Sequence, residues 1–109
     1  MTDMIESAQQ LGKAIAESDR FRAVADLRTK IDTDETLQAE MKALNELGAK
    51  IAKLEKEVQP VEPEDKRRLQ ELQQNVTGNA LLQDLARVEA DFAELMNRVN
   101  TAIHSQLTG

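Results

Sequence analysis

With 109 residues, a net charge of −6, 31% charged residues and 2% aromatics, the chain has the composition of one helical domain with wet, acidic faces. It has two Phe and neither Trp nor Tyr, so its core must come from Leu, Ile, Val, Met and Ala, which argues against a β-sandwich; the acidic balance argues against direct nucleic-acid binding, where phosphate neutralisation supplies most of the affinity. The absence of cysteine excludes disulfides, thiolate metal sites, cysteine nucleophiles and cysteine-ligated clusters.

The N-terminal MTDMIESAQQLG carries acids and lacks the apolar run of a signal peptide. No stretch approaches the roughly 20 apolar residues of a membrane span. The expected compartment is the cytoplasm, with no membrane contact.

The first helix is expected to begin near Thr2 or Asp3, with Asp3 as cap and Glu6 three residues on. Met4, Ala8, Leu11 and Ile15 form its stripe, and Gly12 beside that stripe is either room for another backbone or a plain helix-interior glycine that costs about 1 kcal/mol. Ser18 and Asp19 mark the turn into a second helix, where Phe21, Val24, Leu27 and Ile31 share a face. Phe21 is expected to be buried at the junction of these two helices. Asp32 is the expected cap of a third helix, with Glu35 three residues later and acidic charge gathered at the positive end of the helix dipole.

That third helix is expected over about 33–59, with a stripe of Leu37, Met41, Leu44, Leu47, Ile51, Leu54 and Val58, closed by Pro60. Pro63 suits the first position of a short fourth helix carrying Leu69, Leu72 and Val76, which stops at Thr77-Gly78 with glycine in the left-handed conformation. Asn79 then caps a last helix over about 79–107, whose apolar positions Leu81, Leu85, Val88, Phe92, Leu95, Val99 and Ala102 recur in steps of three and four. The expected fold is all-α, a five-helix bundle forming a single domain over residues 1–109, with two long amphipathic helices and antiparallel packing. The expected core or oligomer-interface residues are Phe21, Leu37, Met41, Leu44, Ile51, Leu85, Val88, Phe92, Leu95 and Val99. Three short helices give limited cover for two stripes about seven turns long, so a homo-oligomer is expected, a dimer in preference, with a monomeric five-helix bundle as the alternative.

No catalytic constellation, cofactor motif or metal site is expected. His104 is the one histidine, Thr101 stands three residues before it, and zinc needs three or four ligands. Ser105 follows His104 directly, and adjacent helical residues point about 100° apart, poor geometry for a nucleophile–base hydrogen bond. Gly12-Lys13 lacks the upstream glycine and downstream hydroxyl of a phosphate loop. Glu89, Asp91 and Glu94 read as a hydrated face. Lys66, Arg67 and Arg68 form the one basic cluster, either a wet face balanced by Glu62, Glu64 and Asp65 or a docking point for an acidic partner or an RNA phosphate.

Ala8, Leu11, Ile15, Ser18, Phe21, the Ile31-Asp32-x-Asp34-Glu35 turn, the long third helix, Pro63, and Asn79 leading into Leu85, Glu89, Leu95 and Ile103 give the chain a full-length resemblance. It resembles the YlbF/YmcA family of small helical bacterial proteins, most closely its YheA-type branch. The resemblance implies a non-enzymatic, oligomer-forming regulator acting in developmental programmes through protein complexes, some including the main mRNA-decay endoribonuclease. Members tied to iron–sulfur clusters use cysteines, which this chain lacks, so that role does not carry over to this chain alone. An adaptor for another, unidentified protein is therefore the expected function. A self-assembling structural or chaperone-like helical protein is the alternative, and a cryptic enzyme a third.

Overall fold

A computed structural model describes residues 3–108. These form five helices and no strand: α1 (Met4–Ala16), α2 (Asp19–Thr33), α3 (Glu35–Lys56), α4 (Pro63–Thr77) and α5 (Ala80–Leu107). The fold is all-α, as the periodicity requires. Thr2, one of the two expected starting points of α1, lies outside the described residues.

The helix boundaries follow local chemistry. Asp3 accepts the Glu6 N–H at 2.8 Å and so opens α1. Ser18 does two jobs at the α1–α2 turn: its hydroxyl donates to the Ile15 carbonyl at 2.6 Å, and its oxygen accepts the Phe21 N–H at 3.2 Å. Ser18 is therefore the cap of α2, and Asp19 is its first residue. Pro63 begins α4, and Asn79 Oδ1 accepts the Leu82 N–H at 3.2 Å to open α5.

Three boundaries differ from expectation. The cap of α3 is Asp34, whose Oδ1 accepts the Leu37 N–H at 2.9 Å, while Asp32 lies inside α2. Capping from Asp34 lets Leu37 enter the core, where it is only 2% exposed. Gly78 stays right-handed, φ −84°, because the next helix begins at once and the Asn79 N–H reaches the Val76 carbonyl at 3.2 Å. The end of α3 falls at Lys56, before Pro60 acts.

That end is a Schellman closure: the Gln59 N–H bonds to Leu54 O at 2.8 Å and the Val58 N–H to Glu55 O at 3.1 Å. The geometry places Val58 at φ 56°, the sole positive φ among the described residues, with its side chain 91% exposed. A left-handed residue with a Cβ costs roughly 1–3 kcal/mol, against roughly 0.5–1 kcal/mol of extra chain entropy lost by glycine. Val58→Gly is accordingly expected to raise the unfolding free energy by about 1 kcal/mol, read as a higher urea midpoint at unchanged m-value. A lower midpoint would refute the left-handed assignment.

The described helices divide between two compact units, with α2 and α5 contributing residues to both. The first unit takes residues up to Arg28 and from Asp84 onward. Within it α2 and α5 run antiparallel. Arg20 Nη1 donates to the Asp91 carbonyl at 3.0 Å and lies 3.9 Å from Glu94, while Arg28 meets Glu89 at 3.7 Å. The Phe21 and Phe92 rings meet edge to face, with centroids 5.6 Å apart and planes at 62°. Val24 and Val88 are its buried residues.

The second unit, Thr29–Gln83, is built on the antiparallel α3–α4 hairpin. Lys50 Nζ meets Asp65 Oδ2 at 3.0 Å near the connecting turn. Ala43 and Leu47 lie beside Leu72 further along. Ile31, Leu37, Ile51 and Leu72 are buried here, and the Gln38 side chain donates to the Ile31 carbonyl at 2.9 Å, fastening the α2–α3 turn.

Candidate interaction surface

Most expected core positions on α3 and α5 are covered, to differing degrees. Leu37, Ile51 and Val88 are buried, while Met41, Leu44, Leu85, Phe92, Leu95 and Val99 are half-buried. Phe21 corrects the expectation placed on it. It is 37% exposed, and its ring is held by Phe92 of α5 rather than enclosed at the α1–α2 junction. α1, on the other side of that junction, buries none of its own residues.

The exposed apolar residues are unevenly distributed. Met4, Ile5, Leu11, Phe21, Ile103 and Leu107 all fall in the first unit, and Val58 alone in the second. Cover fades along α5, from buried Val88 through half-buried Leu95 and Val99 to Leu107 at 76% exposure. On α1, Met4 is 81% exposed, and a Cβ added at Gly12 would find no atom within 4 Å. Among the described residues, nothing fills the space beside Gly12. Exposed apolar residues gathered in one unit make it the candidate for an interaction surface.

Ile5 and Leu107 belong to this surface and carry no signal in an i, i+4 pattern restricted to one stripe. Leu107 is found by extending the α5 register four residues beyond Ile103, and Ile5 by widening the α1 stripe by one position.

The basic cluster lies in the first half of α4, with Lys66, Arg67 and Arg68 exposed. Arg68 reaches Glu71 at 3.5 Å, and neighbouring Asp65 is engaged with Lys50. Such solvent-exposed pairs contribute at most about 1 kcal/mol each, so these side chains remain accessible to a charged partner.

His104 and Ser105 sit on the exposed end of α5, where the Ser105 hydroxyl donates to the Ala102 carbonyl at 2.8 Å. An open concavity of about 590 Å³ lies beside them, lined by Asn97, Asn100, Thr101, His104, Ser105 and Thr108. Every wall belongs to one helix, so it encloses nothing. Among the described residues, no group of three or more His, Cys, Asp or Glu side chains converges as a metal site would require, and no helix is long and apolar enough to cross a membrane.

The comparisons with known proteins cover nearly the full length. A UPF0342 protein of Lactobacillus helveticus is 28% identical over 102 residues, 94% of this chain and 88% of the relative. A UPF0342 protein of Lactobacillus acidophilus is 27% identical over 99 residues, 91% of this chain and 85% of the relative. No solved structure gives a significant match. The family profile described as "Control of competence regulator ComK, YlbF/YmcA" matches residues 4–108. All five helices lie within that match, and the chain belongs to the YlbF/YmcA family, a regulatory family.

Proposed function

We propose that the chain is a non-enzymatic helical adaptor of the cytoplasm that regulates another protein by binding it, and that it self-associates, as a dimer in preference. The observation that carries this reading is the bare apolar surface of the first unit in a member of a regulatory family. A surface of that kind is a cost to solubility unless something occupies it. The link of family members to developmental control and to an mRNA-decay endoribonuclease makes complexes of those kinds the first to examine.

The test is purification of tagged protein from its native host, with identification of what accompanies it. One saturable partner at fixed stoichiometry is the expected outcome. Recovery of the chain alone counts against the adaptor, and weak retention of many unfolded chains favours a chaperone-like role.

The basic run on α4 is the proposed contact for an acidic patch on that partner. Arg67→Glu combined with Arg68→Glu is expected to weaken partner binding tenfold or more, mainly through slower association, with thermal stability little changed. Unchanged affinity would remove these residues from the interface.

A further inference from the structure

We propose that the turn joining α3 to α4 is a docking surface in which Val58, held out among acidic side chains, enters an apolar pocket with a basic rim on the partner protein. This deepens the adaptor reading, on which it rests, by naming a contact in the second unit. The fold does not require valine at this position. Val58 is left-handed, at φ 56°, and at 91% exposure it is the most exposed large apolar side chain among the described residues. The hydrogen bonds that close α3 run from the backbone N–H groups of Val58 and Gln59, so glycine or asparagine at position 58 makes them with less strain. They account for the conformation and not for the side chain. Strain held at an exposed position, with no burial inside the chain to offset it, points to a contact outside the chain.

The turn presents this side chain rigidly. Pro60 and Pro63 each fix a backbone φ, Val61 is half-buried, and Lys50 Nζ holds Asp65 Oδ2 at 3.0 Å just inside α4. A side chain held ready in this way loses little freedom on binding.

Charge selects the chemistry of the partner. Between Glu55 and Glu64 the exposed acids Glu55, Glu57, Glu62 and Glu64 stand against Lys56 alone. An apolar side chain flanked by carboxylates fits an apolar pocket rimmed by Lys or Arg, and is repelled by an acidic surface or an RNA backbone. The net charge of −6 disfavours a second copy of this chain as the occupant. The basic run Lys66-Arg67-Arg68 follows at once along α4, so the partner's face is basic at the pocket and acidic beyond it, an alternation of sign that fixes its orientation.

The test takes the protein that accompanies the full-length chain from the native host, purifies it, and titrates it with wild type and variants by calorimetry at low and high salt. Val58→Gly and Val58→Asn, both compatible with the left-handed position, are expected to keep or raise the urea midpoint and yet weaken binding about tenfold, the loss given by removing one buried valine side chain. Weaker binding by a protein of equal or greater stability does not come from misfolding. Glu62→Lys combined with Glu64→Lys, checked for folding by far-UV circular dichroism, is expected to weaken binding tenfold or more and to flatten its salt dependence.

Unchanged affinity in either Val58 variant overturns the proposal and leaves the adaptor reading standing. A charge reversal that leaves affinity unchanged, or tightens it, overturns the basic rim. Recovery of the chain alone from the native host overturns this contact and the adaptor reading together.

Discussion

Leu72→Ala is expected to lower the unfolding free energy by about 3 kcal/mol, within the 2–5 kcal/mol usual for a buried leucine truncated to alanine. Leu72 is 1% exposed, at the centre of the α4 stripe between Leu69 and Val76. It faces α3 across the groove where Ala43 and Leu47 lie. Truncation removes three carbons from a site held by two antiparallel helices that cannot collapse independently, so most of the cavity persists. For a domain whose total stability is on the order of 5–15 kcal/mol, that loss is a large share. Urea denaturation at one fixed protein concentration, which keeps any assembly contribution constant, should show a lower midpoint with the m-value preserved. Gln73→Ala, one residue along on the exposed face, is the control and should move the midpoint little. A change below 1 kcal/mol at Leu72 would mean that the α3–α4 hairpin is not the centre of the second unit.

Phe92→Glu should be comparably severe in the first unit, by a different route. Phe92 is half-buried, so the apolar area lost is smaller than for a core phenylalanine. The substitution also removes the edge-to-face contact with Phe21, worth roughly 0.5–1.5 kcal/mol beyond area, and puts a carboxylate on the apolar stripe between Val88 and Leu95. The new charge stands one helical turn from Glu89, adding like-charge repulsion. Together these give a loss of about 3 kcal/mol. Phe92→Leu, which keeps the apolar area and loses only the ring contact, should cost about 1 kcal/mol. Thermal melts paired with sedimentation read both effects, and an unchanged melting temperature with an unchanged mass for Phe92→Glu would remove Phe92 from core and interface alike.

The helix punctuation was legible where one residue type has one physical use. Asp3 and Asn79 offer a side-chain acceptor to orphan N–H groups, and Pro63 fits a position that needs no donor. The cap expected at Asp32 falls instead at Asp34, two residues on. Capping from Asp34 goes with the burial of Leu37, and that is a tertiary fact. The C-termini of α3 and α4 invert the glycine rule: Val58 takes the left-handed position and Gly78 does not. Hydrogen bonding to the carbonyls of Leu54 and Glu55 stabilises the first, and the immediate start of α5 constrains the second. Neither effect leaves a mark in composition.

The candidate surface was half legible. Three- and four-residue spacing shows which face of α1 and α5 is apolar, and Leu11, Ile15, Leu95 and Val99 fall on those faces. Periodicity reports a face without reporting what covers it. Phe21 shows the consequence: its register is right, but its side chain is not enclosed.

The bare stripe of α1 also bears on how the molecule can report being occupied. An isolated helix shorter than roughly 12–15 residues is marginal in water, and α1 has 13, with none buried. Its local opening free energy is therefore expected to be low, and a partner laid on that face should slow amide exchange along Met4–Ala16.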